Sequence, residues 1–109
     1  MNSFEFLTDQ ITSFRDERNW QQFHNSKDLS LALSIEASEL NELFLWKKAE
    51  DVDVDRLKEE LADVFIYSLL LADNHNFDIK EIVLSKLEIN RKKYPVQKSK
   101  GKADKYTDI

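Results

Sequence analysis

The feature that most limits this chain is what it lacks: its 109 residues include one glycine, Gly101, and one proline, Pro95. Hairpin turns and phosphate-cradling loops need residues that adopt positive φ freely, and glycine is their default. With none before position 101, the sequence excludes a hairpin-rich β fold, a P-loop and a dinucleotide-binding fingerprint. An all-α chain is what remains. The length suits one domain, and the absence of cysteine excludes disulfides, thiolate metal sites and thiol nucleophiles.

Charge is unevenly spread. Residues 1–90 hold nine Lys and Arg against nineteen Asp and Glu, whereas residues 91–109 hold seven against two. An acidic body is a poor surface for duplex nucleic acid, whose affinity comes largely from lysine and arginine neutralising phosphates. The same body attracts divalent cations. The longest apolar run, Val64 to Ala72, is too short to span a bilayer, which needs about 20 residues. The N-terminal residues show no basic-then-apolar leader, so a cytoplasmic location is expected.

The apolar periodicity predicts four helices. The first opens after Asn2 or Ser3 and carries Phe4, Leu7, Ile11 and Phe14 on one stripe. An aromatic linker over Asn19–Asp28 holds Trp20, Phe23 and His24. The second helix is expected over Asp28–Lys48 and the third over Asp55–Asn74, after an acidic connection. Asp78 and Glu81 read as a variant capping box for the fourth, which ends near Tyr94 ahead of Pro95. The expected organisation is a helical domain over residues 1–95 and a basic tail over 96–109. The third helix is apolar on nearly every side between Val64 and Leu71, more surface than one small monomer covers. The chain is therefore expected to be a four-helix bundle-like fold assembled as a homo-oligomer, either a homodimer or a dimer-of-dimers tetramer.

The informative anomaly is where the acids fall. On the second helix Glu36 lies inside the stripe marked by Leu29, Leu33, Leu40 and Leu43, and Glu39 follows at i+3 on the same face. The third helix repeats this, with Glu60 between Leu57 and Val64 and Asp63 three residues on. Two carboxylates about 4 Å apart repel by roughly 4 kcal/mol at an effective dielectric of 20, so four turned inward need compensation. Lysines and arginines near the C-terminus offer one solution. A hard divalent cation such as Mg²⁺, which takes oxygen ligands and substrate phosphates, offers another. A di-iron bundle fails on residue type: it uses E-x-x-H pairs, and His24 and His75 are preceded three residues earlier by Gln21 and Ala72.

Taken together, several segments resemble the MazG-type all-α nucleoside triphosphate pyrophosphohydrolases, within them the compact branch that includes the dCTP pyrophosphatases. They are Arg18-Asn19-Trp20-Gln21-Gln22-Phe23-His24, Ile35-Glu36-Ala37-Ser38-Glu39-Leu40, Leu43-Phe44-Leu45-Trp46, Glu59-Glu60-Leu61-Ala62-Asp63-Val64 with Tyr67, Lys86 to Asn90, and Tyr94-Pro95. The likeness covers roughly Phe4 to Pro95. It implies Mg²⁺-dependent hydrolysis of the α–β phosphoanhydride of a (d)NTP, giving a monophosphate and pyrophosphate, with dCTP a possible preferred substrate, in nucleotide-pool house-cleaning. By position it implies Glu36, Glu39, Glu60 and Asp63 as metal-binding and catalytic residues. Trp20, His24, Trp46 and Tyr67 would line a nucleoside pocket, and Lys86, Asn90, Arg91 and Lys93 would face the phosphates. Ile35 stands where the wider family often has an acid.

Two other functions fit the residues alone. A non-catalytic helical interaction module would pair the inward acids with Lys86, Arg91 or Lys93 and dock its basic tail on an acidic partner. A nucleotide sensor on the same fold would bind dNTP without releasing pyrophosphate.

Overall fold

Asn2 starts the first helix with a reciprocal cap: its side chain accepts from the Glu5 amide at 2.8 Å, and the Glu5 carboxylate accepts from the Asn2 amide at 3.2 Å. From there a computed structural model describes residues 2–101. Helix α1 spans Ser3–Glu17, α2 Ser26–Glu42, α3 Val54–Asn74, α4 Ile79–Lys93 and the one-turn α5 Val96–Ser99. Short 3₁₀ turns over Gln21–Phe23 and Ala49–Asp51 precede α2 and α3, and no strand occurs among the described residues. The chain divides into two units, Met1–Phe77 and Asp78–Ile109. No helix among the described residues is long and apolar enough to cross a membrane.

Short polar side chains open the other long helices. Asn25 caps α2 by accepting from the Asp28 amide, Asp53 caps α3 through the amides of Asp55 and Arg56, and Asp78 caps α4 through Glu81. The second helix thus starts two residues earlier than the sequence predicts. It also stops earlier, at Glu42 rather than Lys48. The amides of Leu43, Phe44 and Leu45 each reach only three residues back, to Leu40, Asn41 and Glu42, which tightens the chain out of α-helical register. Trp46 then takes φ +61°, the left-handed conformation that ends a helix and that a bulky side chain rarely adopts. Of the expected basic tail, residues 96–99 form α5, and residues 102–109 lie outside the described residues.

In the first unit α3 is the central element, with α2 and α1 packed on it. Leu29 of α2, Leu43 just beyond its end, and Leu69, Leu70 and Ala72 of α3 form the buried core. Leu29 is 1% exposed and is the largest fully buried side chain described. Burying a leucine contributes about 1.5–3 kcal/mol, so these few positions weigh heavily in a small core. Replacing Leu29 by alanine is expected to cost about 2–5 kcal/mol in a urea-unfolding measurement, whereas Asn2→Ala, which removes only the cap, costs about 1 kcal/mol.

Candidate active site

Glu36 and Glu60 bring acidic side chains from two packed helices to one point. Carboxylate oxygens of Glu36, Glu60 and Asp63 all lie within 4.8 Å of one another. Each side chain is half-buried, and one oxygen each of Glu36 and Glu60 has lost contact with solvent without gaining a hydrogen-bond partner. No lysine or arginine of residues 2–77 pairs with these acids, the salt bridges of that segment being Arg15–Asp16, Arg15–Asp73 and Arg18–Glu17. Glu39 stands outside the group of three and is more exposed. It still acts on it, through hydrogen bonds and charge shared with Glu36 and Glu60.

The electrostatic consequence is that Glu36 binds its proton unusually tightly. Burial first, then a hydrogen bond with Glu39 and the charges of Glu39, Asp63 and Glu60, push its carboxyl up to about 7. Glu60 is raised too, mainly by burial and by Glu39. A tight group of oxygen donors with two buried, unpartnered oxygens matches the needs of a hard divalent cation.

Next to this group lies a cavity of about 380 Å³. The same helix serves both: Asp63, Ile66, Tyr67 and Leu70 lie at i, i+3, i+4 and i+7 on α3 and form one wall. Ile11, Phe14 and Arg15 of α1 form another, and Trp20 and His24 close it. The chain reverses after α1 by placing Asn19 at φ +58°, which suits asparagine better than most residues. The Trp20 amide then donates back to the Arg15 carbonyl at 3.1 Å. The Trp20 ring meets Phe14 edge-on at 5.9 Å, and the Arg18 guanidinium covers the Phe14 ring at 3.7 Å. Asn74 Nδ2 donates to the His24 carbonyl at 2.8 Å and Ser26 Oγ hydrogen-bonds His75 Nε2 at 2.9 Å, tying this loop to the end of α3. Burial, and then the positive charge of Arg15, hold the His24 imidazole below its usual pKa. Burial and the charges of Glu36, Asp63 and Glu39 raise the Tyr67 phenol.

Trp20, His24 and Tyr67, expected together from the sequence, thus share one cavity with Asp63. Trp46 does not line it: its side chain is 99% exposed at the turn after α2. Lys86, Asn90, Arg91 and Lys93 lie on α4 in the second unit, where Arg91 donates to Glu88 at 2.8 Å and Lys86 and Asn90 share a face at i, i+4. Sequence reasoning missed Arg15. Its signal was its spacing, four residues after Ile11 on the apolar stripe.

The sequence profile of the MazG-like family matches residues 31–109. The chain belongs to the MazG-like family. This MazG-like chain is 43% identical over 104 residues to dCTP pyrophosphatase 1 of Bos taurus, covering 88% of this chain and 62% of that one. Against the Homo sapiens dCTP pyrophosphatase 1 it is 40% identical over 104 residues, covering 88% and 61%. The chain thus spans less than two thirds of the length of the curated relatives it matches. A solved pyrophosphatase structure from Archaeoglobus fulgidus is similar with a TM-score of 0.78 and 37% identity, covering 87% of this chain and 94% of that one.

The raised Glu36 carboxyl fixes the sign of a pH effect. The folded protein holds this proton more tightly than the unfolded chain, whose carboxyl titrates near 4.5. The associated stability is complete below about pH 4.5 and is lost as pH rises through about 7. In the presence of EDTA the wild-type melting temperature is expected to fall between pH 5 and pH 8, and Glu36→Gln to flatten that fall; equal slopes for both would contradict the assignment.

Proposed function

We propose that this MazG-like chain is a Mg²⁺-dependent nucleoside triphosphate pyrophosphohydrolase that splits a (d)NTP into monophosphate and pyrophosphate, acting on dCTP in nucleotide-pool house-cleaning. The observation that carries this reading is the double membership of Asp63, one of the three converging carboxylates and also part of the cavity wall. A ligand filling the cavity therefore presents its adjoining groups to the acids. A nucleoside triphosphate has that form, a flat base on one side and oxyanions on the other. The names of the relatives, dCTP pyrophosphatase 1 and a pyrophosphatase, support the same class.

In this reading Glu36, Glu60 and Asp63, with Glu39 beside them, hold the cation. When bound, it supplies charge neutralisation and Lewis acidity toward the phosphate oxygens. The chain's own residues do the rest. Trp20 gives the base a surface to stack on, worth about 1–3 kcal/mol. Tyr67, kept protonated between cavity and acids, is placed to donate its hydroxyl toward the sugar or α-phosphate. Water adds to the α-phosphorus, the bond to the α–β bridging oxygen breaks, pyrophosphate leaves, and a carboxylate of the cluster takes the proton from the water. We assign phosphate contacts to Lys86, Asn90, Arg91 and Lys93 on the spacing of the family's motif.

The active form is proposed to be a homo-oligomer in the cytoplasm. Leu31 and Ile35 stand one turn apart and exposed on α2, as do Leu61 and Phe65 on α3, and Trp46 is held out in a strained conformation. Exposed apolar groups in this number on so small a chain are surface that a second copy covers. An acidic body and a lack of cysteine accord with a small-molecule substrate and a reducing compartment.

Incubation with a dNTP panel and Mg²⁺ is expected to release pyrophosphate, with dCTP among the substrates; release of orthophosphate alone would defeat the proposal. Asp63→Ala and Glu39→Ala should each lower kcat by more than about 100-fold while leaving helical circular dichroism intact. Mg²⁺ at about 100 times its pH 8 Kd is expected to stabilise the protein by about 2.7 kcal/mol at pH 8, and the same concentration is expected to stabilise it less at pH 6, because protons compete for Glu36 and weaken binding. Light scattering is expected to give a multiple of 12.9 kDa, reduced to that value when Leu61 and Phe65 are both changed to Asp.

A further inference from the structure

Arg15 is the buried charged residue of the described chain, 6% exposed, and the function above does not use it. A guanidinium carries five N–H donors. Among the described residues one of them is used, Nε donating to Asp16 Oδ1 at 2.8 Å. Asp73 Oδ2 approaches Nη1 only to 3.8 Å, near enough to balance charge and too far for a hydrogen bond. The Nη donors are thus left without an acceptor in a side chain that lines the cavity. They are not sealed from solvent, so in a side chain this buried they are donors that a ligand entering the cavity can reach and satisfy.

The surroundings select the kind of acceptor. With two carboxylates already beside it, the guanidinium's charge is largely offset, and an anionic group gains little there. A neutral acceptor of fixed geometry gains more, because the two Nη groups form a planar fork. Trp20 lines the same cavity, and its backbone N–H donates a hydrogen bond to the Arg15 carbonyl, so a base stacked on the indole shares the cavity with that fork. The second polar group of the cavity is His24, whose Nδ1 is out of contact with solvent and unpartnered, while its backbone carbonyl is pinned by Asn74. Burial, and then the Arg15 charge, favour the neutral imidazole, which has one nitrogen able to accept. The cavity therefore offers a donor pair beside an acceptor.

Resting on the pyrophosphohydrolase reading of this site, we propose that Arg15 is a specificity-determining residue that donates its Nη hydrogens to N3 and O2 of a cytosine ring, while His24 Nδ1 accepts from the 4-amino group. Cytosine carries two adjacent acceptors flanked by an amine on one edge. Uracil and thymine place an N3–H against the fork and a carbonyl against the histidine acceptor. The Watson–Crick edge of guanine has one acceptor and two donors, and that of adenine a single ring acceptor beside its amine. Cytosine is the base that meets both halves of the site.

Equilibrium binding of nucleoside monophosphates tests this without requiring turnover. Wild-type protein should bind dCMP at least about tenfold more tightly than dUMP, a ratio that Arg15→Met brings close to one and Arg15→Lys, which keeps the charge and loses the fork, reduces as well. A merely structural role would weaken both nucleotides equally, and that result overturns the proposal, as does a ratio that survives in Arg15→Met. A measurement on unaltered protein stands beside these in case a variant does not fold: dCMP with sulfur in place of O2, a weaker acceptor, should bind at least about fivefold less tightly than dCMP, and equal binding overturns the proposal. Pyrophosphate release from dCTP by the wild type is scored separately. A protein that prefers dCMP yet releases no pyrophosphate keeps the role of Arg15 and loses the catalytic reading; one that turns over all dNTPs with no preference for dCMP does the reverse.

Discussion

Like charges forced together inside a helical pair govern this molecule. Glu36 and Glu60 would be ordinary surface acids had either helix been rotated by a third of a turn, and the pair of helices would then pack with apolar side chains alone. Instead the α2–α3 contact gives up part of its apolar area to hold carboxylates whose mutual repulsion and lost hydration act against folding. Such an arrangement persists when something outside the chain offsets it, and the raised protonation of Glu36 is what the acids do when nothing else does. Part of the first unit follows from this constraint: α3 must be long enough to carry acids near its start and core leucines near its end.

The parts legible in the sequence were those governed by period. The acids could be found because a 3.6-residue repeat of leucines made Glu36 and Glu60 conspicuous, and the lack of glycine excluded sheets before any element was drawn. Trp20, His24 and Tyr67 share a cavity that their spacing alone did not dictate; the likeness to a known family brought them together. What escaped was governed by local backbone chemistry or by tertiary context. The end of α2 lies in a run of apolar residues, Leu43 to Trp46, that reads as continuing helix, and only the three-residue hydrogen bonds and the positive φ of Trp46 stop it. Trp46 looked like a pocket wall and is instead turned outward. Arg15 escaped because an arginine in an amphipathic helix is ordinarily solvated, and what buries this one is α3, far away in sequence.

The two halves of the site differ in how they are held. The acids sit on helices and inherit their rigidity from the buried leucines. The aromatic side is carried by a loop, and loops hold position only as well as their anchors. Here the anchors are unusually many for so short a segment: a hydrogen bond from the Trp20 amide to the end of α1, the left-handed Asn19, and two side-chain hydrogen bonds to the residues that close α3. Nothing in the loop's composition suggests stiffness, and its order comes from these few directed bonds.

Because Asp63 and Asn74 belong to one unbroken α-helix, their separation along its axis is set at about 16 Å by the rise of 1.5 Å per residue. That helix is a gauge rod laid along whatever molecule the site receives, with charge measured off at one mark and the loop's footing at another. Loops elsewhere in the fold can lengthen or shorten across evolution without touching this interval. A single residue added between the two marks would swing everything beyond it by about 100° and leave the site with two halves facing different ways.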